Sequence, residues 1–133
     1  MTKYGALGTQ LLLGTKQVES TTLTMDGAGG LITTGGDVRV ITTATGLLAG
    51  SPLTTDVAVL LADDVNTVCT KIRAGLNAVA AITDEFLVGG SGALITLTCL
   101  VAAADLASLN IDINDEAPCE GVVDAPTSTT TTA

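Results

Sequence analysis

Residues 63–79 read DDVNTVCTKIRAGLNAV, and this stretch has the clearest periodic pattern in the chain. Asp63 and Asp64 stand where a helix N-cap is expected, because a carboxylate there accepts hydrogen bonds from free backbone N–H groups and suits the positive helix end. The apolar residues recur at spacings of 3, 1, 3, 4 and 3, which is typical of one helix face. The predicted core face of this helix consists of Val65, Val68, Cys69, Ile72, Leu76 and Val79.

Alternating residues before the helix predict a β-hairpin. Residues 37–43 and 56–61 alternate between two faces, as half-buried strands do, and a short connection joins them. Gly75 lies inside the helix and costs it about 1 kcal/mol relative to alanine, which is tolerable where a strand packs closely against it. The helix is therefore expected to lie on the sheet that this hairpin begins.

The chain after the helix predicts further strands. Residues 86–88 and 93–101 flank the turn sequence Gly89-Gly90-Ser91-Gly92, and the pair Ile111 and Ile113 suggests a final short strand. Residues 102–109 are expected to form a short helical turn or a bulging connection. The predicted fold class is α+β, a small and mostly antiparallel sheet with one main helix packed on it in the order β-β-α-β-β-(β).

Both ends of the chain lack a regular apolar period of their own. The sequence therefore predicts an N-terminal arm or hairpin over residues 1–36, an α+β core domain over 37–114 and a low-complexity C-terminal arm over 115–133. The expected arms are extended. Terminal arms of this kind commonly order by reaching across to a neighbouring subunit, so at least one of them is expected to clasp a neighbour.

The composition excludes several function classes. The 133 residues carry 5 Lys and Arg against 14 Asp and Glu, a net charge of −9, and there is no His or Trp, one Tyr and one Phe. Without His there is no histidine-dependent nucleophile and no imidazole metal site. Sparse bases and aromatics argue against nucleic-acid binding, and short apolar runs argue against a membrane span or signal peptide. We expect no enzyme activity, no catalytic residues, no cofactor and no metal.

Three groups of acidic residues are the candidates for chemistry. They are Asp63 with Asp64, Asp84 with Glu85, and Asp112, Asp115 and Glu116 with Glu120. The last group approximates a loop of oxygen ligands for Ca²⁺ or Mg²⁺, but it lacks the alternating ligands and the turn glycine of an EF-hand. The favoured interpretation is that the acids cap helices, end elements and keep an apolar protein soluble.

The three cysteines are Cys69, Cys99 and Cys119. Their spacings exclude a CxxC redox or zinc signature. Cys69 and Cys99 fall on predicted core faces and are expected to act as small buried apolar residues. Cys119 follows Pro118 in a polar segment, so it is expected to be exposed, and a disulfide to a neighbouring subunit is the minority hypothesis for it.

The chain from Gly46 onward resembles a module of tailed-bacteriophage virion structural proteins. The resemblance covers roughly residues 38–132 and includes no catalytic signature. It is carried by Gly46–Leu53, Val57-Ala58-Val59, Asp64 ahead of Val68, Lys71-Ile72-Arg73-Ala74-Gly75-Leu76, Phe86–Ala93, Leu97-Thr98, Ala102–Asp105, Leu109-Asn110-Ile111 and Ala125–Ser128. Separately, Leu7–Gly14 is similar to the start of some tail-tube proteins.

The resemblance implies a virion component made in the host cytoplasm. Head-surface decoration is the leading expectation, with the major capsid protein and further copies of the chain in a homo-oligomer or symmetric array as partners. A tail-tube or tail-fibre protein, with a tail protein as partner, is the alternative. A free binding module for a glycan or small ligand is a third class, disfavoured because one Tyr and one Phe offer little stacking surface.

Overall fold

The structure, a computed structural model, describes residues 15–131. Helix α1 (Val65–Asn77) and the one-turn helix α2 (Ala80–Thr83) lie at the middle of the chain, and a 3-10 turn spans Ala28–Gly30. The strands of the described residues are β1 (Val18–Thr22), β2 (Gly36–Thr43), β3 (Leu53–Val59), β4 (Phe86–Gly89), β5 (Leu94–Cys99), β6 (Asn110–Glu116) and β7 (Thr129–Thr131). The predicted α+β class and the order β-β-α-β-β-β from β2 to β6 are confirmed.

The strands form two antiparallel sheets, whereas the sequence predicted one. One sheet has the order β4-β5-β1-β7 and the other the order β3-β2-β6. Both predicted hairpins are confirmed, since β2 pairs with β3 and β4 pairs with β5. The two-sheet arrangement depends on β1, which pairs with the distant β5 and β7. Such pairings are set by tertiary packing and leave no local pattern in the sequence.

One apolar core joins the two sheets and helix α1. Its buried members come from β2, β3 and β6 of one sheet, from β4 and β5 of the other, from α1, and from several connecting segments. Helix α1 crosses β3 closely, because a Cβ atom added to Gly75 would lie 3.0 Å from Val57 Cγ2. The sequence expectation that a strand packs against Gly75 is confirmed. The residues 102–109 form an irregular connection without a helix.

The described parts of the two expected arms belong to this same core. Leu23 and Ile32 are buried before residue 37, and Cys119 and Val122 are buried after residue 114. Isolated bridges join Met25 to Val122 and Thr34 to Glu120, so the two ends pair with each other. The described segments before residue 37 and after residue 114 therefore contribute buried side chains to the same core as residues 37–114. Each end contributes only a few buried side chains, too few to give a periodic signal.

Residues 1–14 and 132–133 lie outside the described residues. The similarity of Leu7–Gly14 to tail-tube proteins falls on that part of the chain. The expected arm at residues 1–36 is therefore compared with the structure only from Thr15 onward.

Candidate functional site

The predicted helix face forms part of the core. Val68, Cys69, Ile72 and Leu76 are each 0% exposed. Val65 and Val79 are half-buried at the two ends of the face and pack against the same cluster. The whole face is thus used in folding, and it leaves no apolar stripe on α1 for a partner.

The pair Asp63 and Asp64 begins helix α1, as predicted. Asp64 is the N-cap, and its Oδ1 accepts a hydrogen bond of 2.8 Å from the Thr67 N–H. Asp63 Oδ2 accepts from the Leu60 N–H at 2.9 Å and from Lys71 Nζ. The Lys71 hydrogen bond lowers the pKa of Asp63, and the Thr67 backbone hydrogen bond lowers the pKa of Asp64. Both carboxylates have structural roles.

The pair Asp84 and Glu85 ends helix α2. The Asp84 N–H donates to the Ala80 carbonyl at 2.8 Å, and the Glu85 carbonyl accepts from the Leu100 N–H at 3.0 Å. Both hydrogen bonds are made by backbone groups, and they hold the chain in place where it leaves α2 and enters β4. This arrangement matches the interpretation that acidic residues end elements.

The third acidic group is not gathered into one loop. Asp112 lies on the partly exposed face of β6, and Glu116 Oε1 lies 3.3 Å from Arg39 Nη1. Asp115 Oδ2 accepts hydrogen bonds of 3.1 Å from the N–H groups of Gly121 and Val122. Among residues 15–131, no group of three acidic or cysteine side chains has an arrangement that could hold a metal ion.

An open acidic groove lies beside this third group. Its volume is about 530 Å³, and its lining includes the carboxylates of Asp26, Asp115, Glu120 and Asp124. Asp115 is engaged by the two backbone N–H groups named above, while Asp26, Glu120 and Asp124 are exposed. The groove was not predicted, because it joins the N-terminal segment to the segment after β6.

All three cysteines are buried and free. The predicted burial of Cys69 and Cys99 is confirmed, but the expectation that Cys119 is exposed is wrong, since it is only 2% exposed. Cys119 packs under the start of β2, where a Cβ atom added to Gly36 would lie 3.0 Å from Cys119 Cβ. Burial raises the pKa of Cys119 and Cys99, and it raises the pKa of Cys69 to about 11. The burial of Cys119 argues against an intersubunit disulfide.

A cross-strand ion pair lies on the outer face of the three-stranded sheet. Arg39 of β2 donates to Asp56 Oδ1 and Oδ2 of β3 at 2.8 and 3.0 Å, and the two residues are direct neighbours in the strand register. Hydrogen bonding from Arg39 lowers the pKa of Asp56. The planar guanidinium of Arg39 can donate to both carboxylate oxygens of Asp56 at once. The positive charge of Arg39 therefore compensates the negative charge of Asp56 on β3.

Glu19 is a buried acid that sequence reasoning missed. It is 1% exposed in β1, and its two carboxylate oxygens accept hydrogen bonds from the hydroxyls of Ser128 and Thr130. Ser128 Oγ also accepts from the Ile111 N–H at 2.8 Å. Glu19 thus holds the C-terminal segment against β1, and Ser128 connects that segment to β6 of the other sheet. No local signal could reveal this role, because the partners are more than 100 positions apart in the sequence.

Large apolar side chains are exposed at separate places on the surface. Leu60 and Leu61 are 66% and 68% exposed after β3, Leu87 is 62% exposed on β4, and Val101 is 72% exposed after β5. Val101 borders a mostly apolar hollow of about 290 Å³ whose lining also includes Leu47 and Leu106. Leu60, Leu61 and Val101 lie in the connections that follow β3 and β5, whereas Leu87 lies on β4 itself.

Comparison with known proteins adds no relative. No protein-family model matches the chain, and no curated protein matches it. Within residues 15–131, no helix is long and apolar enough to cross a membrane.

Proposed function

We propose that this chain is a non-catalytic structural subunit of a bacteriophage virion, placed on the head surface as a decoration protein. In this role it binds the major capsid lattice and neighbouring copies of itself. The observation that carries the proposal is the set of exposed leucine and valine side chains at Leu60, Leu61, Leu87 and Val101. Apolar side chains at interfaces are removed from water by a partner surface.

The chemistry of the polar residues is consistent with a structural role. Asp64 caps α1, and Asp63 accepts hydrogen bonds from the Leu60 N–H and from Lys71. Asp56 pairs with Arg39, and Glu19 accepts hydrogen bonds from the C-terminal segment. The cysteines are buried, and burial raises their pKa, which disfavours the thiolate form that a nucleophile requires. Each of these groups has a physical role in the fold without any reaction.

The resemblance to tailed-bacteriophage virion modules supplies the choice of assembly. Several of its matching segments lie on elements that build the fold, such as β3, α1 and the β4–β5 hairpin. Others lie in the irregular connection after β5 and in the segment before β7. A module that is used in repeated copies needs a stable core and surface groups that a neighbour can cover, and this chain has one buried core and apolar side chains exposed at several places.

Quantifying the chain in purified particles tests this proposal. Particles of the phage that encodes the chain are separated into heads and tails, and the chain is measured relative to the major capsid protein by mass spectrometry. We expect it in the head fraction in many copies. Recovery with tails would favour the tail-tube or tail-fibre alternative, and its absence from particles would contradict any virion role.

Surface variants test the observation that carries the proposal. Leu87→Asp and Val101→Asp place a charge on exposed apolar positions, and Thr24→Asp places the same charge on an exposed residue outside every strand. We expect at least one of the first two variants to fold normally and to bind particles more weakly than Thr24→Asp. Equal binding by all three would show that these apolar positions do not contact the particle.

A further inference from the structure

The apolar hollow bordered by Val101 lies next to the first described residues of the chain. Its volume is about 290 Å³, close to the smallest pockets that hold small ligands, about 300 Å³. Leu47 in its lining is 37% exposed, and Ala103 and Ala104 are exposed beside it. Cys99, which is 8% exposed, lies in the same lining. The hollow therefore presents apolar surface that an apolar segment can cover.

The segments that form the hollow are fastened to one another. Gln17 is 3% exposed, and its side-chain amide donates to the Leu106 carbonyl at 3.1 Å and accepts from the Leu106 N–H at 2.6 Å. The Gln17 carbonyl accepts from the Cys99 N–H at 2.9 Å. The chain before β1, the end of β5 and the connection after β5 thus form one preformed surface.

The sequence before Gln17 leads to this surface. Gln17 itself lines the hollow, and only Thr15 and Lys16 separate it from residues 1–14. That preceding sequence contains the apolar run Leu11–Leu13. Leu13 is four positions before Gln17, and an extended chain of that length spans at most about 14 Å. The three leucines are therefore within reach of the hollow in their own chain.

Charge also favours residues 1–14 as the occupant. They contain Lys3 and no acidic residue, so all 14 Asp and Glu of the chain follow them. The hollow lies in acidic surroundings, since burial and then the negative charges of Asp105, Glu85 and Glu19 raise the pKa of Cys99. An acid-free segment approaches this surface without the repulsion that a second copy with a net charge of −9 would meet.

We propose that the leucine run Leu11–Leu13 docks in the apolar hollow of its own chain. There the leucine side chains pack against Leu47 and Leu106 and cover Cys99. Because the run is covalently joined to Gln17, its effective concentration at the hollow is on the order of millimolar, which favours it over a separate partner. The inference concerns the chain in isolation and does not depend on the virion role.

Disulfide trapping tests the docking. Leu11→Cys, Leu12→Cys and Leu13→Cys are each combined with Ala103→Cys in the hollow or, as a control, with Ala28→Cys, an exposed alanine in the lining of the acidic groove. Oxidised glutathione serves as the oxidant and is reduced as the two thiols form a disulfide. We expect at least one pair with Ala103→Cys to form an intrachain disulfide about ten-fold faster than its Ala28→Cys control.

Two results of this trapping would overturn the proposal. Equal rates for the Ala103→Cys pairs and their controls would show that the leucine run does not favour the hollow. A disulfide-linked dimer as the main product would show that the run docks on a second copy. Non-reducing gels separate the intrachain product from the dimer, and mass spectrometry of peptides identifies the linked cysteines.

The reactivity of Cys99 tests the same contact in a chain without added thiols. Leu12→Asp places a carboxylate in the leucine run, so the run should leave the hollow and Cys99 should label with a thiol reagent about ten-fold faster. Thr2→Asp makes the same charge change outside the run and should leave this rate unchanged. Cys69 and Cys119 do not line the hollow, so their rates should stay the same in both variants.

Two labelling results would contradict the docking. One is a Cys99 rate that is the same in Leu12→Asp and Thr2→Asp. The other is an equal acceleration of all three cysteines in Leu12→Asp, which would show a general effect on the fold and no specific contact at the hollow. Mass spectrometry of peptides after timed labelling gives the rate at each cysteine.

Discussion

The residue Asp64 determines where helix α1 begins. Its carboxylate accepts from the Thr67 N–H, and this hydrogen bond keeps the pKa of Asp64 below its ordinary value. A carboxyl group with a lower pKa in the folded state stabilises the protein above its unfolded pKa, near 4. This contribution is lost as the pH falls through the folded-state pKa.

We therefore expect a pH-dependent difference between the wild type and Asp64→Asn. The asparagine retains an N-cap acceptor but cannot ionise, so the variant should melt at a lower temperature than the wild type near pH 7. The difference should shrink as the pH is lowered below about 4. Thermal melts monitored by circular dichroism from neutral to acidic pH measure it, and parallel pH profiles would contradict the assigned role of the charge.

Substitution of the buried residue Ile72 tests how α1 packs on the core. It is 0% exposed, and Ile72→Ala should lower the free energy of unfolding by about 2–5 kcal/mol through lost burial and a residual cavity. Asn66→Ala on the exposed side of the same helix should change it by less than about 0.5 kcal/mol. Urea denaturation of both variants measures the difference. Similar values for both would contradict the assignment of Ile72 to the core.

Among the helices and strands, those with a strong local sequence pattern were predictable, and those without one were not. Helix α1 and the β2–β3 and β4–β5 hairpins were predictable because their period, cap or turn residues lie within one short stretch. Strand β1 turns Glu19 and Thr21 inward, and Gln17 just before it is buried as well, so polar residues stand where a core-facing strand normally has apolar ones. Its assignment needs the distant partners β5 and β7.

The C-terminal segment shows the same limit. Residues 125–131 are rich in Thr and were expected to form a low-complexity arm, yet they bridge β6 and add the strand β7 beside β1. Of the candidate acidic sites, the capping role of Asp64 was predictable because it depends on neighbours in sequence. The acidic groove and the Glu19 contacts were not predictable, since each joins residues from both ends of the chain.

The Glu19 contacts predict a specific energetic coupling. Glu19→Ala removes the acceptor for Ser128 and Thr130 and should lower the free energy of unfolding by about 2 kcal/mol, because hydrogen bonds to a charged group are strong. Ser128→Ala should have a smaller effect in the Glu19→Ala background than in the wild type. A double-mutant cycle by urea denaturation measures this, with exposed Thr127→Ala as the control. Additive effects of Glu19→Ala and Ser128→Ala would contradict the contact.

In the molecule as a whole, the described parts of the two ends pair with each other and complete the core, and they do not extend away from it as arms. Met25 pairs with Val122, and Thr34 pairs with Glu120, so the segments before β2 and after β6 support each other. The surface features left for partners then include the exposed apolar side chains of Leu60, Leu61, Leu87 and Val101. Contacts through such side chains need no cleft, which agrees with the proposed assembly role and with the scarcity of aromatic residues, one Tyr and one Phe, that could line a ligand pocket.

The burial of the three cysteines in this closed core predicts how their thiols react in the native protein. Cys69, Cys99 and Cys119 are buried, and burial raises the pKa of each thiol, to about 11 for Cys69. Because the thiolate is the reactive form, native protein near pH 7 should label far more slowly with a thiol reagent than protein unfolded in urea. Labelling of Cys119 should accelerate together with the global unfolding transition, since its burial depends on both ends of the chain. Mass spectrometry of peptides after timed labelling measures each site separately.

Rapid labelling of Cys119 alone in the native protein would contradict this prediction, because it would show that the segment after β6 opens independently. A disulfide-linked dimer on non-reducing gels of intact particles would contradict it as well, and it would restore the intersubunit disulfide as the role of Cys119.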